Sequence, residues 1–292
     1  MTQITNPGRV LVPLDVKESG AKIVSAAEEI ARLGAEEIRL LHVAHVRDTL
    51  ADPKILEYDA EVLGAWKERL IACGAAAVTT EVVSGIPAIE IEERAERDGY
   101  SLIVLGSHGR RLLSRVILGS TTEDVLRHAT IPILIVRLKI IEAGEETACR
   151  LAADRLFSRI LYATDFSAYA DRCIPCLAWM SRAEPEELAV VHIQDTRHLA
   201  GATPEEMAEF DRRDTGRLEA LRRQFLEAGF SNVSTVLRTG NAAEEIPALA
   251  EELGATLIVL GAKGRHGIAE RILGGVTEAV VYRSAGHVLV VR

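Results

Sequence analysis

Short apolar runs alternate with amphipathic stretches along the first half of the chain. Arg9 to Leu14 predicts a buried strand with Asp15 just after it, and Ser19 to Leu33 places apolar residues at helical spacing before Gly34. Four further predicted strands follow, separated by predicted helices: Glu37 to Val43, Ala77 to Val83, Ser101 to Leu105 and Ile133 to Arg137. Alternating strands and helices predict a doubly wound, parallel α/β sheet with right-handed crossovers.

The second half repeats this pattern. Its predicted strands are Arg159 to Ala163, Glu187 to Ile193, Val233 to Leu237, Thr256 to Leu260 and Val288 to Arg292. A long helix is predicted to begin with Thr203 as N-cap and Pro204 in the first turn. The sequence between the halves, Leu138 to Ser158, is charged and mixed in character, and it is predicted to form a partly helical connector.

Matching residues show that the two halves are a duplication. Asp15 and His42 recur 150 positions later as Asp165 and His192. Four glycines recur 155 positions later: Gly85, Gly106, Gly109 and Gly119 become Gly240, Gly261, Gly264 and Gly274. A repeat this long is a domain rather than a solenoid unit. We therefore predict two five-stranded, Rossmann-like domains, residues 1–140 and 158–292, joined by the connector 141–157.

Composition and charge narrow the class of partner. The net charge of −9 argues against binding to nucleic-acid backbones, and the 4% aromatic content argues against base-stacking platforms. No apolar run is long enough to span a bilayer, and Met1 to Gly8 lacks the apolar core of a signal peptide. With four cysteines and no targeting segment, a reducing cytoplasm is the expected location.

The fourth predicted strand leads into a glycine-rich loop with the spacing G-x2-G-x9-G-[ST]. It runs from Gly106 through His108 and Gly109 to Gly119-Ser120-Thr121, where a helix is predicted to open. Gly106 and Gly109 are expected to allow positive φ and close approach of a ligand, and the helix N-terminus favours an anion. Ligands of doubly wound sheets lie at the carboxyl ends of the strands, the edge where Asp15 is expected. A nucleotide phosphate is the expected anion.

The pattern is neither a P-loop nor a dinucleotide fingerprint, but it resembles the universal stress protein family. The resemblance covers both halves through V-P-L-D at 12–15, A-T-D-F-S at 163–167, L-L-H-V at 40–43 and the I-L-I-V-R strand at 133–137. It implies an adenine nucleotide alpha hydrolase-like fold and a cytoplasmic stress-response protein. Some members of the family bind ATP or AMP and others do not, and tandem two-domain members exist.

The resemblance also implies which residues bind the nucleotide. Adenosine is expected between Pro13-Leu14-Asp15, the backbone of Val43 and the glycine loop with His108, and the phosphates on Gly119, Ser120 and Thr121. The corresponding second-half residues are Asp165, Ile193, Gly261, Gly264, Gly274 and Gly275. Gly275 and Val276 replace both hydroxyl residues, which is expected to weaken the second site about tenfold or more. Mg²⁺ would accompany ATP, although the sequence shows no dedicated carboxylate site for it.

Other interpretations stay open at this point. The glycines could simply form tight connections in a scaffold or interaction module, or the chain could be a slow ATP hydrolase. The sequence offers no arginine finger and no evident general base, so at most weak ATPase activity is expected. His42 and His192 are interpreted as structural rather than as metal ligands, and Cys173 and Cys176 as helix-face residues without redox function.

The terminal strands of the two repeats bear on assembly. Both are apolar throughout, and such a strand needs a partner or cover at its edge. The resemblance implies pairing of this strand between subunits in single-domain relatives. We therefore expect an intramolecular pseudo-dimer of the two domains, and a homodimer of the whole chain is compatible with this but not required.

Overall fold

The computed structural model describes residues 6–45, 54–107, 118–143, 146–199, 201–264 and 273–292. The chain divides into two compact units, Met1–Asp154 and Arg155–Arg292. Each unit contains one mainly parallel sheet with helices between successive strands, so the predicted pair of Rossmann-like α/β domains is confirmed.

The first unit has six strands and four helices among its described residues. The strands are β1 (Arg9–Pro13), β2 (Glu37–His45), β3 (Val78–Gly85), β4 (Leu102–Ser107), β5 (Ile133–Ala143) and β6 (Glu146–Leu151). The helices are α1 (Glu18–Arg32), α2 (Ile55–Ala72), α3 (Pro87–Arg97) and α4 (Ser120–His128). The strand order is β3-β2-β1-β4-β5, with all five strands parallel. The order reverses beside β1, which is where doubly wound sheets open a crevice at the carboxyl edge.

The second unit repeats this plan. Its strands are β7 (Arg159–Ala163), β8 (Glu187–Asp195), β9 (Val233–Gly240), β10 (Leu257–Gly261) and β11 (His287–Val291). Its helices are α5 (Ala168–Asp171), α6 (Cys173–Met180), α7 (Thr196–Leu199), α8 (Pro204–Glu227), α9 (Ala242–Glu252) and α10 (Gly275–Arg283). The parallel order is β9-β8-β7-β10-β11, the counterpart of the order in the first unit.

Register confirms the duplication at the level of single residues. Arg9 is opposite Glu37 in the first unit, and Arg159 is opposite Glu187 in the second. Both central strands, β1 and β7, carry fully buried apolar side chains such as Leu11 and Leu161. The acids that follow these strands, Asp15 and Asp165, therefore lie at the same edge of equivalent sheets.

The segment between the repeats is a β-hairpin, so the predicted partly helical connector is wrong. Strand β5 continues past Arg137 to Ala143, and β6 returns antiparallel with Leu138 opposite Leu151. The sequence contains β-branched Ile140 and Ile141, which favour strand, and backbone pairing satisfies the amides that a lone extended segment would leave open.

The long helix of the second unit begins as predicted. Thr203 Oγ1 accepts a hydrogen bond from the amide of Glu206 at 3.2 Å, and Glu206 Oε2 accepts one from the amide of Thr203 at 2.8 Å. This reciprocal capping box fixes the start of α8, which later contributes to the candidate site. No helix in the described part of the chain has the length and apolar character needed to cross a membrane.

Candidate functional site

A cavity of about 600 Å³ opens at the carboxyl edge of the sheet in the second unit. This volume lies within the range of small-molecule pockets. All six residues predicted for the second site line it: Asp165, Ile193, Gly261, Gly264, Gly274 and Gly275. The structure thus brings together residues that are more than a hundred positions apart in the sequence.

Gly264 lies against the acid that follows the first strand of this unit. A Cβ at Gly264 would come within 2.8 Å of Asp165 Oδ2, a distance that real Cβ atoms do not adopt. A backbone hydrogen bond holds Gly274 close to the end of β10, because its amide donates to Ala262 O at 2.8 Å. Only residues without a side chain allow the loop to approach Asp165 in this way.

The first glycine of each loop is needed for close packing and not for the positive φ that the sequence predicted. Gly106 and Gly261 lie inside β4 and β10 and do not have positive φ, so that expectation is wrong for Gly106. A Cβ at Gly261 would lie 2.9 Å from Tyr169 O, and one at Gly106 would lie 2.6 Å from Ile23 Cδ1. These glycines let the helix after the first strand pack closely on the sheet.

Each loop ends at a helix N-terminus fixed by a threonine. Helix α4 begins after Gly119 and α10 begins after Gly274, which leaves the first-turn amides without helical partners. Thr122 Oγ1 donates to Gly106 O at 2.9 Å, and Thr277 Oγ1 donates to Gly261 O at 2.8 Å. The sequence reasoning did not single out these threonines, although they match at the repeat spacing of 155.

The predicted site of the first unit is described in part. Pro13 ends β1, Leu14 donates its amide to Leu41 O at 3.0 Å, and Val43 lies in β2. Asp15 accepts hydrogen bonds from Ser19 Oγ at 2.7 and 2.9 Å. Ser120 is exposed and Thr121 half-buried at the start of α4. His108 and Gly109 lie outside the described residues.

Both histidines at the ends of the second strands are paired with an aspartate that the sequence reasoning missed. His42 Nδ1 lies 2.9 Å from Leu14 O, and its Nε2 lies 3.3 Å from Asp59 Oδ2. His192 Nδ1 lies 2.7 Å from Thr164 O, and its Nε2 lies 3.7 Å from Asp214 Oδ2. A carbonyl only accepts, so each Nδ1 carries a hydrogen. The aspartates match at the repeat spacing of 155, a signal that was available in the sequence.

Asp214 is a carboxylate in this arrangement. It accepts hydrogen bonds from Gln194 Nε2 and Arg213 Nε, both at 3.1 Å. Burial raises the pKa of Asp214, but these hydrogen bonds, together with the charges of Arg213 and His192, hold that pKa below its ordinary value. The second cavity therefore carries a negative charge beside His192 at neutral pH.

The remaining charged residues of the cavity include both signs. Asp195 pairs with Arg197 at 2.9 Å on the rim. Lys263, in the loop position of His108, is 5% exposed and its ammonium lies 5.5 Å from the ring centroid of Tyr169. No group of three or more metal-binding side chains occurs within the described residues.

The cysteines agree with the non-redox interpretation. Cys173 and Cys176 are free and buried on α6. Burial raises the pKa of the Cys176 thiol to about 11 and the pKa of the Cys173 thiol well above its ordinary value. Thiols in this state are poor nucleophiles.

Comparisons with known proteins agree with the fold and the repeat. The profile of the universal stress protein family matches residues 7–137 and again 156–292. The chain therefore belongs to the universal stress protein family, as a member with two domains in tandem. Universal stress protein MJ0577 of Methanocaldococcus jannaschii is 28% identical over 155 residues, which cover 45% of this chain and 95% of that protein.

Two further relatives support the same assignment. Universal stress protein YxiE of Bacillus subtilis is 31% identical over 147 residues, 44% of this chain and 98% of that protein. The crystal structure of a universal stress protein from Archaeoglobus fulgidus superposes with a TM-score of 0.72 at 25% identity, covering 100% of this chain and 99% of that one. The tandem arrangement thus has a solved counterpart of the same length.

Proposed function

We propose that the chain binds an adenine nucleotide, ATP or AMP, at the carboxyl edge of its sheets and acts as a nucleotide-responsive regulator. The observation that carries this proposal is the convergence of Asp165, the backbone of Ile193 and the loop glycines on one cavity of about 600 Å³. The cavity has an acid at one side and a helix N-terminus at the other. This combination suits a ligand with hydroxyl or amine donors and an anionic group.

The first unit has equivalent residues at these positions, and its helix N-terminus offers more hydrogen-bond donors to a phosphate. Asp15, Val43 and Gly119 take the places of Asp165, Ile193 and Gly274, and Ser120 and Thr121 add two hydroxyl groups. We therefore propose that the first unit binds more tightly and that Mg²⁺ enters with ATP, held by the phosphate oxygens. The protein would work in the cytoplasm.

Calorimetric titration of the full chain with ATP and with AMP tests the proposal. Gly264→Val should remove binding in the second unit, since its side chain would occupy the space beside Asp165. Gly216→Val is the matched control, because a Cβ at this glycine of α8 meets no atom within 4 Å and Gly216 does not line the cavity. A wild-type protein that takes up neither nucleotide at millimolar concentration would contradict the proposal.

We further propose that the apolar terminal strands, β5 and β11, pair the two repeats as a pseudo-dimer. The physical reason is that an apolar strand with an open edge is an aggregation hazard. Light scattering of residues 1–140 expressed alone tests this idea. A soluble monomer at high concentration would remove the reason for the pairing.

A further inference from the structure

Phe166 is a strained residue that directly follows Asp165, one of the residues lining the second cavity. Its φ is 58°, in the left-handed region that residues with a Cβ rarely adopt. Oδ1 of Asp165 accepts a hydrogen bond from the amide of Ser167 at 3.0 Å. The amide of Phe166 in turn donates to Thr164 Oγ1 at 2.9 Å. The conformation of Phe166 therefore sets the position of the acid proposed to contact the nucleotide.

One ring and one cation pack against the Phe166 side chain. Its ring centroid lies 4.5 Å from that of His192, and the guanidinium of Arg217 lies 4.3 Å from it. Contact between an aromatic ring and a neighbouring imidazole is stronger when the imidazole is charged. The state of His192 therefore affects the turn at Asp165.

One contact of His192 is stronger when its ring is an imidazolium. Its Nδ1 must donate to Thr164 O, so in a neutral ring Nε2 would carry a lone pair facing the carboxylate of Asp214 at 3.7 Å. A second proton on Nε2 turns this repulsion into an ion pair. The first unit repeats the arrangement: buried Asp59 Oδ2 has no hydrogen-bond donor among the described residues, and His42 Nε2 lies 3.3 Å from it.

We propose that His192 is a proton-dependent positioning residue of the second cavity. As an imidazolium it binds Asp214 of α8, packs against Phe166 and holds the turn that presents Asp165. When the proton leaves, the ion pair is lost and the strained Phe166 relaxes, which moves Asp165 away from the loop glycines. Both ring nitrogens are engaged within the protein, so His192 is a positioning residue and not an acid or base toward the ligand.

Several charged groups around the cavity act on this proton. The carboxylates of Asp214, Asp165 and Asp195 favour the protonated ring, whereas the nearby arginines and Lys263 oppose it. The charged residues that line the cavity are Asp165 after β7, Asp195 at the end of β8, Arg197 on α7, Arg213 and Asp214 on α8, and Lys263 after β10. Arg197 is bound to Asp195, and Arg213 is bound to Asp214. Arg217 on α8 reaches the same place through the Phe166 ring.

The first test uses the ligand-free full chain. Histidine labelled with ¹⁵N reports the charge of each ring by NMR between pH 5 and 9, with the His192 signal assigned by its loss in His192→Gln. We expect His192 to be an imidazolium at pH 6 and the backbone amides of Asp165 and Phe166 to change with the same midpoint. A neutral His192 over the whole range, or amides that do not follow it, would overturn the proposal.

A matched pair of variants separates the effect of the His192–Asp214 ion pair from the effect of overall charge. Asp214→Asn should lower the midpoint of His192 by about one pH unit, as expected for loss of a nearby opposite charge. Asp59→Asn removes the equivalent carboxylate of the other unit and should leave the His192 midpoint unchanged. Equal shifts in both variants would mean that the midpoint follows overall charge and not this pair.

The consequence for binding rests on the proposed function and has its own test. Titration with ATP in a Gly109→Val background, which leaves the second site, should show affinity about tenfold lower at pH 8 than at pH 6, the equivalent of one pKa unit. In His192→Gln the ATP affinities at pH 6 and pH 8 should be nearly equal after correction for the ionisation of ATP. The same ratio in both proteins overturns the coupling. Absence of binding at either pH overturns the proposed function, while the NMR titration still decides the state of His192.

Discussion

In the first unit the acid after the central strand is held by a side chain, whereas in the second it is held by the backbone. Ser19 Oγ donates to both oxygens of Asp15, but Asp165 accepts from the amide of Ser167 in a turn that forces Phe166 to positive φ. Val16 stands at the position of Phe166 in the first unit and does not have positive φ. The same fold thus presents the same acid through a relaxed turn in one unit and a strained turn in the other.

The aspartates on the long helices differ in the same way. Asp214 accepts hydrogen bonds from Gln194 and Arg213 in addition to its contact with His192, whereas Ala44 and Tyr58 stand at the positions of these two donors in the first unit. Oδ2 of Asp59 therefore relies on His42 among the described residues. Duplication kept the histidine–aspartate pair in both units, and within the described residues the second unit adds Gln194 and Arg213, which also line the cavity.

The largest expected effect comes from adding a β-branched side chain to the second glycine of each loop. Gly109→Val and Gly264→Val should each weaken nucleotide binding in their own unit about a hundredfold, near the upper end of the 1–3 kcal/mol typical of overpacking. Calorimetry of each variant measures the loss, and circular dichroism checks that the fold is intact. Wild-type affinity in a normally folded Gly109→Val would place the first site elsewhere.

The next largest effect is on stability, and it should differ between the unit that contains Asp59 and the unit that contains Asp214. His42→Leu should lower the free energy of unfolding of the first unit by about 2 kcal/mol, because it removes the imidazole that pairs with the buried carboxylate of Asp59. His192→Leu should cost about 1 kcal/mol, since Asp214 keeps two donors. Hydrogen exchange followed by mass spectrometry measures each unit separately in the full chain. A larger loss in the second unit would contradict the comparison.

Exchange of the phosphate-end residues should have a smaller effect. Ser120→Gly with Thr121→Val makes the first unit resemble the second and should weaken ATP binding there about tenfold, the value of one hydrogen bond to a charged group. The reciprocal pair, Gly275→Ser with Val276→Thr, should strengthen the second site by a similar factor. Two sites of equal affinity in the wild-type chain would show that the hydroxyl groups do not matter.

The smallest effect lies at the opposite, amino edge of the first sheet. Arg39 binds Asp98 at 2.9 Å and lies 5.5 Å from the Tyr100 ring centroid, and Ala189 and Leu253 replace Arg39 and Asp98 in the second unit. The side chains are about 20% exposed, so Arg39→Ala should cost less than about 1 kcal/mol at pH 7. Thermal unfolding at neutral pH measures this loss.

The same cluster predicts a pH dependence. A hydrogen bond from Arg97 is the main reason that the pKa of Asp98 is lowered; burial opposes this, and hydrogen bonds from Arg9 and Thr79 outweigh burial at Glu37. Carboxylates with a lowered pKa stabilise the fold above their unfolded pKa, and this contribution is lost as the pH falls through the folded value. The difference between wild type and Arg39→Ala should therefore shrink below about pH 4. A difference that stays constant as the pH falls through the acid range would contradict this account.

Much of the fold could be predicted from the sequence because its signals are local. Apolar runs predicted the strands of both parallel sheets, and Thr203 with Pro204 predicted the start of α8. The β5–β6 hairpin was missed because charged residues interrupt its apolar pattern, and no glycine–asparagine or proline–glycine pair marks a turn between its strands. The strands pair with neighbours only a few to a dozen positions away, but their mixed composition does not show the alternation typical of a strand.

The candidate site was predicted in its glycines and acids but not in the contacts that support them. The repeat spacing predicted Asp165 and Gly264 as site residues. The role of Phe166 depends on its positive φ angle, which the sequence pattern does not predict. Asp214 was missed because it lies on a helix about twenty positions after His192, at a distance that only the fold closes. Aligning the two repeats over their full length would have revealed it.

Native mass spectrometry of the full chain titrated with ATP tests the central claim most directly. The account predicts a first nucleotide adduct at low ATP concentration and a second at higher concentration, with Gly109→Val removing the first and Gly264→Val removing the second. No adduct up to millimolar ATP, or adducts unaffected by both substitutions, would contradict it.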